Sequence, residues 1–412
     1  MELKDLRILV IGNRMPWPLK DGGAMATFGM LEALKACGAN LTYFSYNTKK
    51  HWVNETLFAQ QIPGIQVVSV PLNANPSAPQ ALLNLLSGKS YHLQRYQNPE
   101  ATQSLKTHLQ TQAPYHGIIV EGLYSVPLIA PLLQSDLLKT TPVAFRSHNV
   151  EHQIWQRVVE NSTAGIKKWY LNLQARRLRN EELKLWQLFQ WQFPITPNDA
   201  QVIAAAKGID ASDPHIILYQ PGYQQLPPPI NLSESAQSQS LRCFHIGSME
   251  WEANVQAVDW FVKSVWPSVL AQHPQATFHV AGKGLKAQDP RFQAPGVVVH
   301  GEVDDARDFM RESGVCVVPL LAGSGIRMKI LEAMALGLPV LTTTVGIQGI
   351  QVQPQVEIAV ADGATAFSQA LSHLLESPEK QKELALAARV FIEKNHDAKL
   401  QTQQLLDRFL MA

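Results

Sequence analysis

Cysteine is scarce in this chain. Cys37, Cys243 and Cys316 are the only three among 412 residues, and they stand far apart. Such a set has no C-x-x-C spacing and an odd count, which excludes a disulfide framework and the common zinc sites; it reads as buried thiols in a reducing compartment. Charge of one sign is also missing. With 35 basic against 34 acidic residues the net charge is +1, so the basic excess of a nucleic-acid binder is absent. No uncharged apolar run reaches the ~18 residues of a membrane span. Met1 to Leu6 carries two acids and a lysine in place of a signal-peptide apolar core. The expected location is therefore cytoplasmic, at most peripheral at the inner face of a membrane. H-E-x-x-H, a Walker lysine loop and G-x-S-x-G are not found, which leaves zinc-protease, P-loop and nucleophile-elbow chemistry without their motifs.

What is present suits an ordinary globular enzyme, at 46% hydrophobic and 17% charged residues. The length exceeds what one core usually serves, so two domains are expected. Arg7 to Gly12 is an apolar run ending in glycine, as in a parallel strand buried on both faces. A loop from Asn13 to Gly23, a helix from Ala24 to Cys37 closed by Gly38, and a strand from Leu41 to Tyr46 follow. Further strands are expected at Ile65–Val70, Gly117–Val120 and Val143–Phe145, and one long helix from about Ile166 to Phe193. That helix mixes Lys167, Lys168, Arg176, Arg177 and Arg179 with Trp169, Leu171 and Leu178. It reads either as a helix packing one apolar face on its domain or as a basic surface touching anionic lipid. Pro227, Pro228 and Pro229 and a Ser/Gln-rich tail mark a linker at 223–241.

The α/β alternation then restarts. Strands are expected at Cys243–Ile246, Thr277–Ala281, Val297–His300, Val315–Pro319 and Pro339–Leu341. Helices are expected at Asn254–Leu270, at about Ile326–Leu336, and three times after residue 363. The expected fold class is α/β with two doubly wound, Rossmann-like domains facing across a cleft: 1–222 with about 396–412, and 242–395. The final helix is expected to pack back on the first domain.

In open parallel sheets ligands collect at the carboxyl ends of the strands. The densest such segment runs from Ala322 through Gly323, Ser324 and Gly325 to Arg327, Lys329 and Glu332. A glycine-rich turn leading into a helix offers unpaired N–H groups and a positive dipole end, a bed for phosphate. Cations are disfavoured there by the dipole, so Arg327 and Lys329 make sense if an anion lies beside them. Glu332 is placed to accept hydrogen bonds from ribose hydroxyls. The plainer alternative is a helix with a Lys329–Glu332 surface pair. Gly282 to Ala287 formally fits G-x-G-x-x-A, but Pro290 interrupts the helix a dinucleotide site needs, and the segment reads as a turn.

Gly325 to Pro339 resembles the donor-binding helix of family 4 glycosyltransferases, GT-B enzymes whose sequence commonly reads E-x7-E followed by A-x-A-x-G-x-P. Glu332 matches the second acid, and Ala333 to Pro339 the tail; Ser324 stands where the first acid would. Cys243 to Asn254 is similar to the opening of the donor domain in an exopolysaccharide-making subgroup. Gly247 and Ser248 stand there without the Arg and Lys that many relatives use for the diphosphate, which moves that duty to Arg327 and Lys329. By the same resemblance, Gly22 and Gly23 match a glycine loop near donor phosphates and acceptor. Val303 matches a backbone contact beside the nucleobase, and His148 a cleft histidine on the donor sugar or leaving phosphate. Glu121 also ends a strand on that side.

The resemblance implies a metal-independent, retaining transfer of a hexosyl or related group from a UDP- or GDP-linked donor, without a cofactor. The acceptor would be a glycan or lipid-linked molecule of cell-surface polysaccharide synthesis. Two other readings stay open: a nucleotide-sugar epimerase or hydrolase of the same fold, and a non-catalytic sugar-nucleotide-binding subunit.

Overall fold

The computed structural model describes residues 6–19, 21–112, 114–160, 162, 164–230, 241–287, 289–312, 314–323 and 325–410. The chain divides into two compact units, Met1–Gln224 with Ala398–Ala412, and Gln225–Asp397.

The first unit is built on six parallel strands: β1 Arg7–Gly12, β2 Asn40–Thr48, β3 Gln66–Leu72, β4 Gly117–Glu121, β5 Val143–Ser147 and β6 Trp191–Pro194. Their order is β3-β2-β1-β4-β5-β6, so direction of winding reverses between β1 and β4. Strand β1 shows why its apolar run is unbroken. Ile8 and Val10 enter the core on one face of the sheet, Leu9 and Ile11 the core on the other, as the two-residue period of a strand requires. The closing helix, Ala398–Leu410, sends Leu405, Leu406 and Phe409 into the same core as Ile8 and Val10. Phe409 meets Trp191 and Phe193 edge-on, at 5.5 and 5.2 Å between ring centres.

Two elements differ from the sequence expectation here. The first helix spans Gly22–Ala36, two residues earlier than read, because the Asp21 side chain accepts from the Ala24 N–H at 3.0 Å and caps it. Gly22 and Gly23 are thus its first turn, not a loop. The long helix ends at Trp186, and Trp191, Gln192, Phe193 and Pro194 form β6. Four residues, three apolar around the polar Gln192, are too few to show a strand period of their own so soon after a helix, so periodicity alone does not separate them.

The second unit repeats the plan: β7 Arg242–Ile246, β8 Thr277–Ala281, β9 Val297–Gly301, β10 Val315–Val318, β11 Val340–Thr342 and β12 Ala359–Val360. The strands are parallel, in the order β12-β11-β10-β7-β8-β9, with the reversal between β7 and β10. The expected helix over 254–270 is longer and contains a π turn, Phe261–Val265, between Glu252–Trp260 and Trp266–Gln272. Pro267 lacks the N–H that would continue the α ladder at this point. The helix read from Ile326 is Met328–Ala335, with Arg327 at its N-cap position. Residues 225–230 pack on this unit: Arg389 donates to the Pro227 carbonyl at 2.9 Å, and Ile230 N–H to that of Leu336 at 2.9 Å.

Among the described residues no helix is long and apolar enough to cross a membrane.

Candidate functional site

Each unit gathers polar side chains where its winding reverses, the place at which such sheets open a crevice. In the second unit the crevice lies between the ends of β7 and β10. Lys329, on the first turn of the helix Met328–Ala335, reaches back beneath β7. Its Nζ donates to Asn254 Oδ1 at 2.9 Å and to His245 Nε2 at 3.1 Å. His245 is fully buried and its Nδ1 lies 2.9 Å from the Val317 carbonyl. That contact assigns the ring proton to Nδ1 and leaves Nε2 as an acceptor. Burial and the neighbouring Lys329 hold His245 far below its usual pKa, hence neutral. Asn254 is used at both ends, since its Nδ2 donates to the Ser248 carbonyl at 2.8 Å. Burial, with Arg327 adding to it, brings the Lys329 amine down to about 7. Both of its hydrogen-bond partners are neutral groups.

The glycines make room for this. A Cβ on Gly247 would lie 2.3 Å from Lys329 Nζ and 2.8 Å from Asn254 Nδ2. A Cβ on Gly282 would lie 1.9 Å from the Gly247 carbonyl oxygen. The Gly282–Ala287 segment is a turn packed against the Gly247 loop, as its sequence indicates. Gly323 has φ 138°, and a Cβ there would meet Arg327 Nη2 at 2.7 Å; Gly325 has φ 77°. Arg327 is 5% exposed, with its guanidinium 5.5 Å from the centre of the Trp251 ring, a cation–π distance.

Glu332 is likewise 5% exposed. The Lys329–Glu332 surface pair does not form: Glu332 Oε1 accepts from Arg307 Nε at 2.9 Å instead. Burial raises the Glu332 pKa, with Arg307 opposing it. Arg307 stands on the short helix Ala306–Arg311, directly after the loop carrying half-buried Val303. Ser324 lies outside the described residues. The structure therefore brings together Gly247, Ser248, Gly323, Arg327 and Lys329, and pairs Glu332 with Arg307, while Val303 is placed only by its loop just before the helix that carries Arg307. Sequence reading gave no role to Arg307, nor to His245, Trp251 and Asn254 although they lie within the Cys243–Asn254 segment it singled out, because their partners stand up to 84 positions away.

In the first unit the crevice between β1 and β4 holds a different set. Glu121, at the end of β4, is 1% exposed and collects three donors on Oε1. These are Arg146 Nη1 at 2.6 Å, Thr27 Oγ1 at 3.0 Å and His148 Nε2. Burial alone would raise its carboxyl; Arg146 and His148 outweigh this and hold it at about 2. With Nε2 engaged, His148 turns Nδ1 toward Gly23, where a Cβ would stand 3.7 Å away. Gly23, His148, Arg14, Thr27, Tyr124 and Glu151 line a cavity of about 250 Å³. Gly22 is exposed at the same helix start. Glu151 accepts from the Tyr124 hydroxyl at 3.0 Å, and burial beside Glu182 pushes its carboxyl up to about 7.

Residues 240–377 match the family model described as glycosyl transferases group 1. Over 404 residues the chain is 20% identical to a Klebsiella pneumoniae protein described as an uncharacterized 44.6 kDa protein in the cps region, covering 95% of this chain and 97% of that one. Anabaena HepE, solved with UDP-glucose, aligns with a TM-score of 0.63 at 14% identity, over 99% of this chain and 100% of its own. Sucrose-phosphate synthase from Thermosynechococcus elongatus aligns at 0.67 and 16% identity, over 97% of each chain. These likenesses extend over the whole chain and show the GT-B fold. Together with the family match over the second unit, they support a GT-B glycosyltransferase.

Proposed function

We propose that the chain transfers a hexosyl or related sugar, with retention, from a UDP- or GDP-linked donor to a glycan or lipid-linked acceptor in cell-surface polysaccharide synthesis. The observation that carries this reading is Lys329: an amine drawn into the crevice of the second unit and met by neutral partners alone. A nucleoside diphosphate supplies the missing charge. As it enters, Lys329 takes up a proton, and its ammonium with the Arg327 guanidinium balances the charge that grows on the departing diphosphate. No metal ion is required for that duty in this reading. Glu332, oriented by Arg307, accepts from the ribose hydroxyls through its remaining oxygen, and Val303 lies beside the base. His148, held by Glu121, contacts the sugar or the leaving phosphate, with Gly22 and Gly23 leaving space for the ligand. The UDP-glucose in HepE and the cps-region relative support the donor class and the pathway class.

Thermal shift with UDP, GDP, ADP and their sugars tests the donor. The right one, at a hundredfold excess over its dissociation constant, stabilises by roughly 2.7 kcal/mol. If Arg327→Ala and Lys329→Ala each leave sugar transfer within twofold of the parent, the assignment is wrong. Release of free sugar irrespective of acceptor would identify a hydrolase instead.

A further inference from the structure

The first unit carries a second, larger concavity that shares no lining residue with the cavity at His148. It is a groove of about 700 Å³ whose floor includes Leu93, Leu132 and Leu185 and whose rim bears Lys89, Lys106 and Lys184. One carboxylate, Glu181, stands among the lysines, and it already accepts from the Ser90 N–H at 3.0 Å. The rim is thus cationic over an apolar floor.

Immediately before Lys89 in sequence runs a ridge of leucines turned to solvent: Leu82 is 66% exposed, Leu83 70% and Leu86 90%. This turn is not loose. Arg177 pins it from the long helix, donating to the carbonyls of Asn84 at 3.0 Å and Leu85 at 2.8 Å. Asn84 is itself buried, and its Nδ2 donates to the Lys89 carbonyl at 3.1 Å. Three large aliphatic side chains held outward by a buried polar anchor, next to a lysine-rimmed apolar groove, form an amphipathic face. Arg177, one of the basic residues of the long helix, is spent on this anchor rather than offered to a ligand.

We propose that this face docks on an anionic phospholipid leaflet, with Leu82, Leu83 and Leu86 entering the acyl region and Lys89, Lys106 and Lys184 meeting lipid phosphates at the mouth of the groove. Charge complementarity selects this occupant: a protein surface would satisfy the leucines but gives no reason for three lysines around an apolar floor, whereas an anionic amphiphile satisfies both. The inference does not depend on the transferase reading.

The test is co-sedimentation of the full-length protein with vesicles of phosphatidylcholine alone and of phosphatidylcholine with 30% phosphatidylglycerol. Binding is expected on the anionic vesicles and weak on the neutral ones. Lys89→Gln/Lys106→Gln/Lys184→Gln is expected to lower partitioning on anionic vesicles by roughly a hundredfold, at about fivefold per lysine. Leu82→Ser/Leu83→Ser/Leu86→Ser is expected to remove binding to both vesicle types while leaving the unfolding temperature unchanged, since all three side chains are already exposed. Nucleotide binding, measured on the same variants by thermal shift, should not move, which separates this proposal from the donor site. Equal binding to both vesicle types, no binding to either, or loss of binding with Lys167→Gln/Lys168→Gln in place of the groove lysines would overturn it.

Discussion

At the reversal point of the first sheet a buried carboxylate, Glu121, meets a guanidinium, an imidazole and a hydroxyl. At the reversal point of the second a buried amine, Lys329, meets a neutral imidazole and an amide. The first arrangement pairs its buried charges without a ligand, although Glu121 Oε2 has no hydrogen-bond partner, and this keeps Glu121 ionised down to about pH 2 and orients His148. The second is electrically incomplete, and the strain shows as an amine whose pKa falls to about 7. One site is prepared by internal pairing, the other by withholding a partner. Positions of this second kind are where ligand charge is worth most, because the protein has already borne the desolvation cost.

The contrast breaks most visibly at Lys329. Lys329→Met should lower sugar transfer by roughly 10²–10³-fold, the scale of a lost charge-stabilising donor, with tighter folding of the ligand-free protein. The sign of the latter follows from linkage: the folded pKa of about 7 lies below the ordinary lysine value of 10.5. The group therefore costs stability most below pH 7, and that cost fades as pH rises toward 10.5. Denaturant unfolding of parent and variant at pH 6 and pH 9 measures it; a variant less stable than the parent at pH 6 would refute the frustrated-amine description.

Glu121→Gln should do the opposite. It leaves Arg146 charged and buried without a counter-charge, at about 3 kcal/mol of stability. Because the folded pKa of about 2 lies below the ordinary glutamate value of 4.5, the parent's advantage should be full above pH 4.5 and lost as pH falls toward 2. Parallel acid titrations of parent and variant, followed by near-UV circular dichroism, read that window.

Gly247→Ala comes next, since its Cβ would displace the Lys329 ammonium. About a tenfold weaker nucleotide affinity is expected in calorimetry, with little change at the first unit's cavity. The smallest effect concerns pH. Nucleotide affinity of the parent should fall above pH 7 as Lys329 deprotonates, by at most about tenfold per pH unit, and Lys329→Met should flatten the slope.

Much of this was legible in the sequence, and the reasons are local. Arg7 to Gly12 reads as a doubly buried strand because each face of β1 has its own core. Gly323, Gly325, Arg327 and Lys329 read as an anion bed because glycines and cations crowd one turn. Trp191 to Pro194 did not read as a strand, since four residues so soon after a helix are too few to establish a period of their own. Asn254 and His245 stayed hidden for another reason: an amide on the helix Glu252–Trp260 and an imidazole on β7 become lysine partners only once the helix Met328–Ala335 is brought to them, 75 and 84 positions on. Glu121 offered only its place at a strand end; its partners come from two separate segments, Thr27 from the first helix and Arg146 with His148 from the end of β5.

The closing helix, Ala398–Leu410, supplies Leu405, Leu406 and Phe409 to a core whose other members begin at Leu6. On the ribosome, the first unit therefore waits for codons 398–410 before its sheet is fully covered, whereas Gln225–Asp397 is already synthesised by then. A nonsense mutation between codons 398 and 405 would spare every residue assigned to the donor site and still remove Leu405, Leu406 and Phe409 from the core of the first unit.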